Sequence, residues 1–128
     1  MPSILKIFID KARNLKYNKV TNECESYVEI KWGVLLPNRT LARCGVNPEF
    51  GHSYSIESSS EPNIENDPVR IDVVDKTSSV LIGGFYIDLT PLLSSDKSEL
   101  SGWFPIIDYK KGLRGNHYTQ VNLEQHSG

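Results

Sequence analysis

Cysteine, methionine and long apolar segments are scarce in this chain of 128 residues. The two cysteines, Cys24 and Cys44, are too few for a disulfide framework and form no Cys-x-x-Cys pair. They are therefore expected to be reduced thiols of an intracellular, cytoplasmic protein. His52, His117 and His126 show no ligand-like spacing with the cysteines, which argues against a zinc site. No apolar run approaches the ~20 residues that a membrane-spanning helix needs, and the first residues resemble neither a signal nor a transit peptide.

An excess of positive charge is also absent. The 14 Lys and Arg against 16 Asp and Glu give a formal net charge of −2, which argues against a nucleic-acid binder. There is no Gly-x-Ser-x-Gly motif, no phosphate-binding glycine loop and no histidine in a catalytic context. We therefore predict no catalytic residue and no cofactor. Gly83 and Gly84 are explained by close strand packing or a β-bulge.

Short stretches of alternating apolar and polar residues dominate what is present, as half-buried strands require. They predict strands at residues 4–9, 26–32, 39–44, 52–57, 69–74, 81–89, 102–107 and 116–123. Residues 90–93 are typical of one helical turn, with Thr90 as its N-cap and Pro91 at its first position. Eight strands with hardly any helix indicate an all-β sandwich. The chain is predicted to be one domain, 1–128, with a core of about 4–123 and a polar tail, 124–128.

Several segments, in this order and spacing, resemble the C2 domain family. They are LKIFIDKARNL (5–15), YVEI (27–30), NPEF (47–50), IDVVD (71–75), IG (82–83), YIDLTPLL (86–93) and GWFPI (102–106). The last two segments, with GLRG at 112–115, are especially similar to the N-terminal C2 domain of a vesicle-trafficking phosphoprotein. The resemblance implies an eight-stranded antiparallel sandwich whose loops at one end hold Ca²⁺ against anionic lipid. Such sites use about five carboxylates, because Ca²⁺ prefers ~6–8 oxygen ligands.

The calcium-binding positions that the resemblance implies are degenerate in this chain. They fall at Asn18 and Glu25 in the first loop, and at Asp75, Thr77 and the pair Val80-Leu81 in the third. Two carboxylates remain, and Lys76 adds a positive charge beside them, so we predict that no calcium is bound. The alternative role for Asp75 and Glu25 is to cap loop ends or to pair with Lys76 and Lys19.

Two basic clusters are candidate binding surfaces for lipid or an acidic partner. Lys31, Arg39 and Arg43 share an outer face with Tyr27, Glu29 and Leu41, and C2 domains often bind phosphoinositides or acidic proteins there. The second cluster comprises Lys110, Lys111 and Arg114, in a predicted loop. The alternative for both clusters is an ordinary solvated surface, where ion pairs contribute little.

Four aromatic residues and one loop tip complete the expectations. Trp32 and Trp103 are predicted in the core, and Tyr86 and Phe104 on outer faces, where they would suit a protein partner if they cluster. Leu81 is expected in the core, which leaves Val80 as the candidate for membrane insertion.

Three functions follow, in decreasing order of support. The first is a non-enzymatic, calcium-independent module for protein–protein or scaffold contacts, cytoplasmic or peripheral at a membrane or the cytoskeleton. The second is a peripheral module that binds anionic phospholipids through its basic surfaces. The third is a residual calcium-dependent lipid binder. The sequence does not name the protein partner.

Overall fold

The computed structural model describes residues 3–13, 15, 25–58, 65–94, 99–108 and 113–127. Within these ranges the chain forms nine strands and one short helix. The elements are β1 (Ser3–Arg13), β2 (Glu25–Trp32), β3 (Asn38–Arg39), β4 (Arg43–Cys44), β5 (Glu49–Ser58), β6 (Val69–Asp75), β7 (Leu81–Ile87), α1 (Pro91–Ser94), β8 (Glu99–Asp108) and β9 (Leu113–Ser127). No helix in the described ranges is both long enough and apolar enough to cross a bilayer.

The strands pair in the order β3-β2-β6-β7-β8-β9-β1-β5, with β4 also on β2, and every pair is antiparallel. The junction of β7 and β8 is narrow, because only Gly84 and Ile107 pair there. It divides the path into two four-element halves, one built on β2 and β6 and the other on β1 and β9. These halves are the two layers of an antiparallel β-sandwich, and the predicted fold class is confirmed.

The core lies between the layers and is supplied by the alternating apolar residues of the strands. Phe85 of β7 stacks on Phe104 of β8, with ring centroids 5.4 Å apart, and so links the layers beside their narrow junction. The largest fully buried side chains are Leu5, Ile7, Ile9, Val28, Ile30, Val69, Ile71, Ile87, Leu89, Leu92 and Ile106. The sequence pattern therefore identifies the inward face of β1, β2 and β6 correctly.

The predicted third strand is divided into β3 and β4. Between them, the Thr40 hydroxyl accepts a hydrogen bond from the Val28 amide at 3.0 Å, and the Thr40 amide donates to the Val28 carbonyl at 2.9 Å. Because the Thr40 hydroxyl, and not a backbone carbonyl, accepts the hydrogen bond of the Val28 amide, the regular backbone pairing is interrupted at Thr40. The next residue, Leu41, is exposed. At the other end of the chain, β9 continues to Ser127, through residues predicted as a tail.

Three side chains differ from their predicted positions. Trp103 is partly exposed, with the Arg13 guanidinium 4.3 Å from its ring centroid, whereas Trp32 is buried as predicted. Phe104 packs against the core, so it does not form an outer patch with Tyr86. Leu81 is exposed because the β6–β7 register shifts between Val73 and Val74, which breaks the alternation that placed Leu81 inward.

Candidate functional site

The loop from β6 to β7 uses its own carboxylate to hold its shape. The Asp75 amide donates to the Val80 carbonyl at 2.9 Å and closes the loop. One Asp75 carboxylate oxygen accepts the Thr77 amide at 3.2 Å, and the other accepts the Ser78 hydroxyl at 2.8 Å. This is the local capping that aspartate provides in turns. Both oxygens of the one acidic residue in this loop are therefore engaged within it.

Glu25, at the start of β2, meets the same loop through Lys76. The Lys76 ammonium lies 3.4 Å from Glu25 Oε1, and the Lys76 amide donates to the Glu25 carbonyl at 2.9 Å. Asp75 therefore caps its loop and Glu25 pairs with Lys76. These are the roles predicted from the sequence as the alternative to calcium binding. Among the described residues, no group of three or more Asp, Glu, His or Cys could hold a metal ion. The carboxylates of Asp75 and Glu25, beside the Lys76 ammonium, fit a divalent cation poorly. Asn18, the other predicted position in the first loop, lies outside the described residues.

A continuous ion-pair network crosses the outer face of β3, β2 and β6. Lys31 is its centre, because its ammonium lies 3.2 Å from Glu29 Oε1 and 3.0 Å from Asp72 Oδ2. The second oxygen of each carboxylate is bound by an arginine. Arg39 Nε donates to Glu29 Oε2 at 2.7 Å, and Arg70 Nε donates to Asp72 Oδ1 at 2.6 Å. Three cations thus alternate with two carboxylates.

Lys31 and Arg39 lie outermost in this network, whereas the two carboxylates and the Arg70 side chain, which is 15% exposed, lie beneath them. The side chains of Asp72 and Glu29 are 7% and 10% exposed, whereas those of Lys31 and Arg39 are 44% and 62% exposed. The hydrogen bond to Asp72 and then that to Glu29 raise the pKa of Lys31, against the opposing effect of burial. Buried carboxylates need such partners, since an unpaired buried charge is strongly destabilising.

Cross-strand register assembles the network. Glu29 is directly opposite Asp72, and Lys31 is opposite Arg70, so all four side chains share one face of β2 and β6. Gly84 of β7 lies opposite Asp72. A Cβ atom on Gly84 would lie 2.5 Å from the Ile71 carbonyl oxygen and 2.7 Å from Arg70 Nη2, and would also clash with the Asp72 carboxylate. Glycine at this position therefore leaves room for the Arg70–Asp72 pair.

Tyrosine rings flank both ends of the network. The Arg39 guanidinium lies 5.1 Å from the Tyr27 ring centroid, and that of Arg70 lies 4.8 Å from the ring of Tyr86. Tyr86 is 63% exposed. An open depression of about 640 Å³ lies beside it, lined by Lys31, Gly33, Pro68, Arg70, Asp72 and Tyr86. We refer to Lys31, Arg39, Arg70 and Tyr86 as the cationic face.

The structure joins some of the predicted binding residues and separates others. Lys31 and Arg39 belong to the network, whereas Arg43 pairs with Ser26, three residues along β2 from Glu29. Arg114 lies in β9, opposite Ile107, and not in a loop as predicted. Lys110 and Lys111 lie outside the described residues.

Sequence reasoning missed Arg70 and Asp72 as members of the surface. The signal was available, because Val69, Ile71 and Val73 face the core and the intervening residues must therefore face outward. Alternation alone does not show that these outward residues align with Lys31 and Glu29, since that depends on register.

The class of protein is shown by a family model and by relatives of known sequence. The C2 domain family model matches residues 3–106, and the chain belongs to the C2 domain family. Human C2 domain-containing protein 5 is 30% identical over 129 residues, an alignment that covers 97% of this chain and 13% of that protein. The mouse relative of the same name matches to the same extent.

Two solved structures show the same fold. A portion of Extended-Synaptotagmin 2 that contains its SMP domain and two C2 domains has a TM-score of 0.81 at 18% identity, and the match covers 96% of this chain and 27% of that one. Human GIVD cytosolic phospholipase A2, in complex with Methyl gamma-Linolenyl Fluorophosphonate, has a TM-score of 0.79 at 14% identity, and the match covers 100% of this chain and 18% of that one. Together with the family model and the human relative, which show the family itself, the resemblance to the C2 family is confirmed.

Proposed function

We propose that this C2 domain is a non-enzymatic interaction module that works without calcium and binds a protein partner through the cationic face. C2 domains mediate contacts with proteins or lipids, and the choice between them depends on the surfaces that each member retains. The observation that carries the proposal is the ion-pair network, which leaves the cationic face only slightly positive. A cytoplasmic location, peripheral at a membrane or the cytoskeleton, belongs to the same proposal.

Calcium independence is supported by the donors at the loop end. The Asp75 carboxylate is engaged by Thr77 and Ser78, and Glu25 is paired with Lys76. Ca²⁺ would have to displace these partners and bind beside the Lys76 ammonium. Such a site is expected to bind at roughly millimolar concentration or weaker, as the weakest calcium modules do.

Protein binding is favoured over lipid binding by the charge balance. Glu29 and Asp72 neutralise two of the three cations in the network, which leaves one net positive charge. Each uncompensated Lys or Arg contributes about 1 kcal/mol of attraction to an anionic membrane, so this network contributes little. Arg and Tyr side chains, by contrast, are enriched where protein interfaces bind most strongly.

The test is a comparative capture experiment carried out in chelator and in calcium. The native domain and the double variant Arg39→Gln/Tyr86→Ala, which changes two exposed side chains of the cationic face, are each immobilised and exposed to the same cell extract. We expect a set of proteins that the native domain retains equally in both conditions and that the variant loses. Capture that requires calcium, or that is identical for the variant, would contradict the proposal.

The second candidate function is binding of anionic phospholipid, favoured by the exposed guanidinium of Arg39 and by exposed Arg43 on the neighbouring edge strand. Charge reversal at Lys31 is a poor test, because a third carboxylate would then face Glu29 and Asp72. Arg43→Glu is the better variant, since its effect on folding should be small. Sedimentation with phosphoinositide liposomes that is strong for the native domain and lost for this variant would favour the lipid function.

The chain spans 13% of the length of the curated relatives that it matches. The activity and partners of those whole proteins are therefore not transferred to it.

A further inference from the structure

The loop from β2 to β3, residues 33–37, presents two aliphatic side chains to solvent. Val34 is 82% exposed and Leu36 is 87% exposed, whereas Leu35 between them packs against the core. The Leu35 amide donates to the Trp32 carbonyl at 3.2 Å, and Gly33 adopts a φ of 56° that favours glycine. The turn is therefore well defined, and it directs Val34 and Leu36 away from the core.

The aliphatic loop adjoins the depression on the cationic face. Gly33 lines the depression and immediately precedes Val34. Pro68 also lines the depression. The residue before it, Asp67, is held by the Trp32 indole, which donates a hydrogen bond to the Asp67 carbonyl at 2.7 Å. The depression itself is bordered by Lys31, Arg70 and the exposed ring of Tyr86. Apolar surface and net positive charge thus meet at one end of the sandwich.

We propose that this junction binds an extended peptide segment of a partner protein in which one acidic residue lies within about three residues of a large aliphatic or aromatic residue. The inference rests on the proposed function and specifies the chemistry of the partner. The acidic residue pairs with the exposed Lys31 ammonium beside the depression. The apolar residue covers Val34 and Leu36, which are otherwise left in water at a cost.

Charge complementarity selects this occupant over a uniformly acidic one. With Arg39 counted, the network has three cations, two carboxylates and therefore one positive charge in excess, so a first carboxylate is attracted. Further carboxylates would approach Glu29 and Asp72 with no cation left to balance them. An apolar segment without an acid would leave that charge facing a dry interface, which is unfavourable. A basic segment is disfavoured by the like charge of Lys31 and Arg39.

Selection from a random dodecapeptide library displayed on phage tests the proposal. The native domain is the bait, in chelator, and we expect the enriched peptides to share an Asp or Glu within about three residues of Leu, Ile, Phe or Trp. The affinity of an enriched, fluorescently labelled peptide is then measured by polarisation. The loop variant Val34→Ser/Leu36→Ser should weaken binding about tenfold, as should replacement of the acid in the peptide by its amide.

Val80→Ser is the matched control, because Val80 is also an exposed aliphatic residue but lies at the opposite end of the sandwich. It should change the affinity less than twofold. Enrichment of peptides that lack an acid, no enrichment, or unchanged affinity of the loop variant would overturn the inference. So would phosphatidylserine vesicles that bind the native domain but not the loop variant, since the loop would then contact a membrane. Peptides that the loop variant still binds, but Arg39→Gln/Tyr86→Ala does not, would overturn the inference and leave the proposed function standing.

Discussion

Replacing Lys31 by methionine removes the centre of the ion-pair network while keeping most of the aliphatic stem. Two carboxylates lose a partner, at 3.0 Å and 3.2 Å, and their side chains are only 7% and 10% exposed. Loss of one partner from a fully buried pair costs about 3–5 kcal/mol, whereas a fully exposed pair contributes about 0–1 kcal/mol. Lys31 is itself 44% exposed, and each carboxylate keeps its arginine. We therefore expect Lys31→Met to lower the free energy of unfolding by about 2 kcal/mol.

Urea denaturation followed by tryptophan fluorescence measures this loss, because Trp32 is buried in the core beside the network. In thermal unfolding the same loss should lower Tm by roughly 8 °C for a domain of this size. Lys76→Met is the matched control, since its ammonium lies 3.4 Å from a single, partly exposed carboxylate. It should change stability by less than about 0.5 kcal/mol. Equal losses of unfolding free energy for Lys31→Met and Lys76→Met would refute the argument that the burial of the partner carboxylates determines the loss.

Three further predictions concern folding stability. Gly84→Ala should destabilise the domain by about 2–3 kcal/mol in urea denaturation, because the new Cβ meets the Ile71 carbonyl and the Arg70–Asp72 pair, and the backbone cannot yield. A loss below about 0.5 kcal/mol would show that β7 moves aside easily. Ser79→Gly should raise stability by about 1 kcal/mol, because Ser79 is exposed and has a φ of 58°; unchanged or reduced stability would contradict this reading of the loop. Partial burial lowers the pKa of His52, so the unfolded chain takes up the proton more readily. Stability should therefore be complete above about pH 6.5 and fall as the pH decreases from there through the lowered pKa. This decrease should be absent in His52→Gln, and an identical profile for that variant would assign it to another group.

Alternation of residue types was sufficient to predict an all-β sandwich and much of its core, whereas the C2-type fold was predicted from the resemblance. In β6, Val69, Ile71 and Val73 are fully buried, as a two-residue period requires. In β1, Leu5, Ile7 and Ile9 follow the same rule. These positions could be predicted because each strand buries one face regardless of its neighbours.

The misplaced side chains have two different causes. Leu81 lies at the shift in β6–β7 register between Val73 and Val74. A shift by one residue exchanges the inward and outward faces, and nothing in the spacing of apolar residues signals it. Trp103 lies instead in a regular stretch of the β8–β9 pairing. Phe104 and Ile106 face the core there, so alternation turns Trp103 outward, where Arg13 lies over its ring.

The candidate site was predicted only in part for a related reason. Alternation along the strands placed Lys31 and Arg39 on an outer face. The ion-pair network, however, depends on which residue of β2 lies opposite which residue of β6. Glu29 and Asp72 therefore could not be recognised as the counterions that reduce the charge of the face until the register was known.

A calcium titration tests most directly whether this C2 domain works without calcium. Isothermal titration of the native domain with CaCl₂ should show no saturable binding below about 1 mM, because Asp75 and Glu25 are engaged by their own neighbours. Saturable binding on the order of 10 µM that is abolished by Asp75→Asn would contradict calcium independence.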